Sequence, residues 1–344
     1  MATWPENSKR LPGNTLPALP SLPRAANRPR CGSLTSKTPH PSPSMTSSLC
    51  PLAGRKAAIS ARAVRSRNFC RQEMIRGRTF PGKRWLRRML HAYEYRRFRS
   101  LYRQNVVFIA ALPKSGSTWL RNLFCALPGF RPALPDHITP TDHHLTPTTF
   151  APFRHRLVVM RLHTSWSPAN AQILAQEGLR YLVLYRDLRD VAVSWYFDIC
   201  SRPSHYLHAQ IASMELDEAL DYYIAHILPA NVRWIRDWRA GRDPAASLEL
   251  RYESLRQDEL SAFTQAARFC CGEVPLYHLV RAVEENRFQR TAHKRRSAAA
   301  DSALVRKGKI GDWRNYLSQR HIEGFKEIAG DLLIELGYEQ DLHW

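Results

Sequence analysis

No apolar run reaches the ~18 residues that a membrane-crossing helix needs, so no transmembrane segment is expected. Cysteine is sparse: seven residues, Cys31, Cys50, Cys70, Cys125, Cys200, Cys270 and Cys271. No pair has a metal-ligand spacing and the count is odd. Free thiols in a reducing compartment fit this better than a disulfide framework, and no metal is expected. Internal repeats are lacking, which argues against solenoids and propellers. Acid is also short, with 30 Asp and Glu against 51 Lys and Arg, a formal net charge of +21. That excess suits an anionic ligand, a polyanion or a membrane surface without choosing among them.

The shortage of acid is most severe at the start. Residues 1–72 hold a single acid, Glu6, among Pro, Ser, Arg and Ala. Such a stretch buries too little apolar surface to offset its ordering entropy. A disordered basic tail is therefore expected over 1–80. Two origins fit it: an organelle transit peptide, which is Arg- and Ser-rich and acid-poor, or an over-long reading frame with translation starting at Met45 or Met74. The first implies an organelle stroma or matrix, the second a cytoplasmic protein.

Residues 81–104, PGKRWLRRMLHAYEYRRFRSLYRQ, have helical periodicity. Trp85, Met89, Leu90, Tyr93 and Leu101 mark one stripe, with arginines elsewhere. The expectation is that this stripe packs on the neighbouring domain. The other reading of a basic amphipathic helix is peripheral contact with a membrane.

From Asn105 to the C-terminus, apolar strand-like runs (106–110, 156–163, 180–187, 247–255) alternate with helical stretches such as 216–240 and 256–271. This is the pattern of an α/β domain, 105–344, whose central parallel sheet is covered by helices on both faces. Ligands of such sheets bind at the carboxyl ends of the strands.

Three segments there carry chemistry. In ALPKSGSTWL (111–120), small residues between a strand and a helix offer backbone N–H groups to an anion. The nucleotide-kinase loop G-x-x-x-x-G-K-[ST] has its lysine where Ser117 stands; here the lysine is Lys114. YRDLRDVAVSWYF (185–197) places Arg186 at a strand end and Ser194 near the start of a helix, a second anion site. VRKGKIGDW (305–313) joins Arg306 and Lys307 to the side-chain-free Gly308.

Together these segments resemble the sulfotransferases that use 3′-phosphoadenosine 5′-phosphosulfate (PAPS). Pro113 to Trp119 match the family's P-K-[ST]-G-[ST]-T-W loop at every position. Arg186 and Ser194 match its 3′-phosphate pair, and Arg306 to Arg314 its R-K-G-x-x-G-D-W-[KR] segment. The order and separations are family-like from about Asn105 onward. The resemblance implies a three-layer, P-loop NTPase-like α/β fold and PAPS as cosubstrate. It implies that Lys114, Ser115, Gly116, Ser117, Thr118 and Trp119 embrace the phosphosulfate. Arg186, Ser194, Arg306, Lys307 and Gly308 would surround the 3′-phosphate, with Trp119, Tyr252 and Phe288 at the adenine. Lys114 would stabilise charge on the leaving nucleotide.

The acceptor must lose a proton, and histidine is the natural base near neutral pH. Of 14 histidines, His163 ends the run LVVMRLH at the strand end where the family's catalytic His lies, usually as K-[ST]-H-x-P. Here Arg161 replaces the lysine and the proline is missing. His143 and His144 are rivals. The implied reaction is in-line sulfuryl transfer to a hydroxyl or amine of a small-molecule, glycan or lipid acceptor, with no nucleic acid partner. Two other functions make distinct demands on the sequence. An ATP-dependent small-molecule kinase predicts a lysine at 117 and a Mg²⁺-binding acid, for which only Asp187 is placed. A polyanion-binding protein predicts charge alone.

Overall fold

The computed structural model describes residues 81–139, 143–287 and 308–344. The chain divides into two units, Met1–Gly77 and Arg78–Trp344. The first lies outside the described residues, and so do the expectations for the tail.

Five parallel strands form the sheet: β1 (Val106–Ala111), β2 (Arg131–Ala133), β3 (Val158–Leu162), β4 (Tyr181–Tyr185) and β5 (Ser247–Arg251), in the order β2-β3-β1-β4-β5. After β1 the chain runs to the edge strand β2, returns to β3 beside β1, then crosses to β4 and β5 on the other side. The reversal makes β1 the switch point, with a crevice at its carboxyl end between β3 and β4.

All six residues of β1 are buried. Phe108 and Ala110 enter one apolar core, and Val107, Ile109 and Ala111 the other. Two covered faces explain the unbroken apolar run, because a strand with one wet face would alternate. Helices supply the cover. On one face lie α2 (Ser117–Ala126), α8 (Glu259–Cys271) and α9 (Leu276–Asn286). On the other lie α4 (Leu188–Cys200), α5 (Leu216–His226), α6 (Leu228–Gly241) and α10 (Gln319–Glu335). The short α3 (Pro168–Gln176) precedes β4, and α7 (Tyr252–Gln257) follows β5.

Three expectations need correction. The run 247–255 is not one strand: its ladder ends at the Tyr185–Arg251 pair, and the chain turns at once into α7. With β4 finished, the backbone of Tyr252 has no neighbour to bond, so it closes a helix instead. The stretch 216–240 is two helices, broken at Ile227 with Pro229 in the first turn of α6.

The third concerns α1 (Pro81–Phe98). Its apolar stripe does not pack on the domain; Trp85, Leu86, Met89, Leu90 and Tyr93 are exposed, as is Leu101 beyond it. The helix docks by another face. Glu94 is buried against Arg131, the Tyr95 ring meets His155 edge-on at 5.8 Å, and Phe98 lies beside Gly129. Periodicity reports that a helix has two faces; it does not say which one an ion pair will turn inward.

Candidate active site

Four strands deliver the site from their carboxyl ends: the 112–118 loop follows β1, His163 follows β3, Arg186 follows β4 and Tyr252 follows β5. The sheet order therefore sets their sequence in space, from His163 through the loop to Arg186 and Tyr252.

The loop is wound tightly. Ser115 N–H donates to the Leu112 carbonyl at 3.3 Å. Lys114 has φ 67°, the one described non-glycine residue with positive φ. Gly116 caps α2 at φ 78°. A Cβ there would lie 2.6 Å from Tyr252 Cδ2, so the position needs glycine for both its dihedral and its contact. The N–H groups of Ser117 and Thr118, the first two residues of α2, have no intrahelical acceptors and add the helix's positive end. Lys114 Nζ lies 2.9 Å from Asp198 Oδ1 of α4, and Asp198 also pairs with Arg202. Burial pushes the Lys114 ammonium pKa down, against the pull of Asp198.

On the far side, Arg186 Nη2 donates to Asp190 Oδ2 at 3.0 Å and to the Lys309 carbonyl at 3.1 Å. Its guanidinium lies 4.3 Å from the centre of the Tyr252 ring. Asp190 in turn accepts from the N–H groups of Gly311 and Trp313, both at 3.0 Å. Burial raises the Asp190 pKa although Arg186 opposes it. The Gly308 carbonyl accepts from Tyr252 Oη at 3.1 Å and from Arg256 Nε at 3.0 Å. Gly308 thus reaches the strand ends across 56 residues of sequence. Arg306, Lys307 and Phe288 lie outside the described residues.

Ser194 is in the second turn of α4, which starts at Leu188. Asp190, Ser194 and Asp198 follow at i, i+4 and i+8, so one face of α4 serves both Arg186 and Lys114. Trp119 and Tyr252 meet edge to face at 6.2 Å. Trp119 Nε1 donates to Glu259 Oε1 at 3.1 Å and to the Asn286 carbonyl at 3.2 Å. Burial lifts the Glu259 carboxyl to about 7.

His163 Nδ1 is 2.7 Å from the Ala111 carbonyl. A carbonyl only accepts, so Nδ1 carries the proton and Nε2 the lone pair. Arg161 Nη1 stands 3.3 Å from that Nε2 and donates to Ser117 Oγ at 3.2 Å. Burial, then the Arg161 charge, holds the His163 pKa down at about 4. His143 Nδ1 accepts from the His163 backbone N–H at 2.8 Å, with the rings 5.3 Å apart. His144 is exposed.

Sequence reading missed Asp190, Asp198, Arg256 and the bridging role of Arg161. The i, i+4, i+8 spacing on α4 was the available signal for the first two. Asp187 is committed elsewhere. It caps α4 and holds Arg189 at 2.8 Å, so the acid a kinase would direct to a metal is already paired.

Several buried polar atoms here have no partner: Ser115 Oγ, Arg161 Nε, Arg186 Nε and Arg202 Nε. All can donate, and an unmet buried donor costs roughly 1–3 kcal/mol. A concentration of such donors beside a positively charged loop fits an anion with several oxygens, as a phosphosulfate and a 3′-phosphate provide. Fold and site together define an α/β protein whose donors gather for a polyoxygenated anion at the carboxyl ends of β1 and β4.

The sulfotransferase domain family model matches residues 104–337. The chain is 24% identical to cytosolic sulfotransferase 17 of Arabidopsis thaliana over 72% of its own length and 81% of that protein. It is 24% identical to flavonol 3-sulfotransferase of Flaveria bidentis over 67% and 82%. The crystal structure of mouse sulfotransferase SULT7A1 complexed with PAP shares its fold with TM-score 0.55 at 16% identity, covering 73% of this chain and 92% of that one. The chain belongs to the sulfotransferase domain family. It is a PAPS-dependent sulfotransferase, and PAPS is the donor of the sulfuryl group.

Proposed function

We propose that the acceptor is a hydroxyl of a small molecule and that His163 Nε2 takes its proton as it attacks sulfur. The observation that carries this reading is the Nδ1 contact with Ala111, which leaves the Nε2 lone pair at the end of β3 beside the β1 loop. Lys114 acts on the opposite side of sulfur, where charge grows on the departing adenosine 3′,5′-bisphosphate. Holding nucleophile, sulfur and leaving oxygen in line supplies much of the acceleration. Arg186, Ser194, Gly308 and, beyond the described residues, Arg306 and Lys307 bind the 3′-phosphate. Trp119, Tyr252 and Phe288 hold the adenine. ATP lacks the 3′-phosphate, so these cations select PAPS over it.

A weakly basic His163 favours acceptors that part with a proton readily, such as phenols, over aliphatic alcohols and amines. The relatives named for a flavonol acceptor and for the cytosol support a small-molecule acceptor and a cytoplasmic setting.

The test is transfer from labelled PAPS to phenols of graded acidity, with sterols, sugars, lipids and amines as further acceptors. His163→Ala should slow turnover by about 10²–10⁴-fold with nucleotide affinity unchanged. Lys114→Ala should lower both turnover and affinity. The His163→Ala loss should shrink as the phenol becomes more acidic. Near-normal turnover of His163→Ala on a weakly acidic alcohol would remove His163 from the role.

A further inference from the structure

The exposed face of α1 has no part in the chemistry above. Trp85, Leu86, Met89, Leu90 and Tyr93 fall at i, i+1, i+4, i+5 and i+8, a single contiguous stripe. Their exposures are 64%, 64%, 53%, 48% and 56%. Single exposed apolar residues are ordinary, but five adjoining large ones mark an interaction surface. The stripe lies opposite the residues that dock the helix, Glu94, Tyr95 and Phe98, so the domain's own packing does not need it.

The segment that carries the stripe is cationic by sequence. The segment 81–104 contains Lys83, Arg84, Arg87, Arg88, Arg96, Arg97, Arg99 and Arg103 and one acid, Glu94. Glu94 faces the domain and is neutralised by Arg131. Arg96 and Arg97 follow the last turn of the stripe, and Arg97 Nη1 donates to Tyr93 Oη at 2.7 Å.

This pairing of features chooses the occupant. A second copy of the chain would bring the same arginines against these, and like charges at close range repel. The N-terminal residues 1–72, with Glu6 as their one acid, carry the same sign. A bilayer containing anionic lipid meets both requirements. Its acyl boundary takes the apolar side chains, its headgroups take the arginines, and the amphipathic rings of Trp85 and Tyr93 suit the level between. We infer that the outward face of α1 seats this enzyme on an anionic membrane surface, lying in the interface rather than crossing it. No described helix is long and apolar enough to span a bilayer.

The experiment uses the full chain with vesicles of phosphatidylcholine alone and of an equimolar mixture with phosphatidylglycerol. Partition should be measurable on the mixed vesicles and fall steeply with salt. Lipids brominated in the acyl chain should quench part of the tryptophan emission. The chain has nine tryptophans, so Trp85→Phe isolates the signal: the quenched component should vanish. Met89→Glu with Leu90→Glu should lower partition by about tenfold or more, with affinity for adenosine 3′,5′-bisphosphate unchanged as proof of folding. Quenching that survives Trp85→Phe, or partition of the double variant equal to the parent, would overturn the proposal and assign binding to the general basic surface. Absence of partition together with a dimer that the double variant disperses would assign the face to a second copy. Absence of both would leave an acidic protein as its partner and equally end the lipid reading.

Discussion

Arg161 lies near the end of β3 and His163 just beyond it, two residues on, and the guanidinium sits against the His163 Nε2 lone pair. The groups facing His163 are Arg161 from the end of β3, His143 from the preceding loop, Lys114 and the Ala111 carbonyl from the β1 segment. The three charged or chargeable side chains all oppose a proton on Nε2, as burial does, and only the carbonyl favours it. A histidine whose folded pKa is lowered stays neutral down to the folded value. Turnover should therefore lose activity on the acid side near pH 4 rather than near 6.5. By linkage, the stability that rests on neutral His163 is present above the unfolded value and is lost as pH falls from about 6.5 toward 4. Arg161→Gln removes one cause and keeps the packing, so the acid limb of the turnover profile should move up toward 6.5. Arg161→Lys should hold it near the parent position. An acid limb unmoved in Arg161→Gln would mean that Arg161 does not act on the base.

The element that organises the nucleotide half is α4. Two arginines of opposite purpose stand at its start. Arg186 just before it faces the site. Arg189 faces away, packed 4.1 Å from the Trp313 ring and 4.3 Å from the Trp344 ring. Arg189 also pairs with Asp187 at 2.8 Å and Glu339 at 2.5 Å. It thereby fastens the C-terminal residues to the start of the helix, while Asp190 fastens Gly311 and Trp313. Removing Arg189 takes from the Asp187 and Glu339 carboxylates, and from the Trp313 and Trp344 rings, the cation nearest to each. Arg189→Ala should cost roughly 3–5 kcal/mol in denaturant unfolding. Arg186→Ala should instead weaken adenosine 3′,5′-bisphosphate about 10- to 100-fold, from a charge-assisted contact of roughly 1.5–3 kcal/mol, with ATP little affected. Calorimetry and unfolding on both variants check the division. Equal loss of stability for the two would refute it.

At the scale of the molecule, the unit Arg78–Trp344 contains every described element, and the family match begins at residue 104. A chain beginning at Met74 should fold and bind adenosine 3′,5′-bisphosphate with the affinity of the full chain. Insoluble protein or lost binding would show that earlier residues belong to the folded unit. Much of this molecule was legible in one dimension. The unbroken apolar runs reveal strands buried on both faces, and the loop from Pro113 to Trp119 announces a tight strand-to-helix turn, because local backbone requirements are written in adjacent residues. Other features depend on which residues meet across long separations, and composition is blind to that. The same arginine type at 186 and 189 meets Tyr252 in one case and Trp313 with Trp344 in the other because β4 ends between two different neighbours. Asp198 becomes the partner of Lys114 only because β1 and β4 are adjacent in the sheet. His163 is distinguished among the 14 histidines by a carbonyl 52 residues away that fixes its tautomer. The stripe of α1 faces outward because Glu94 found Arg131 on β2, and that ion pair, formed by tertiary folding, decided which side of the helix the domain would keep.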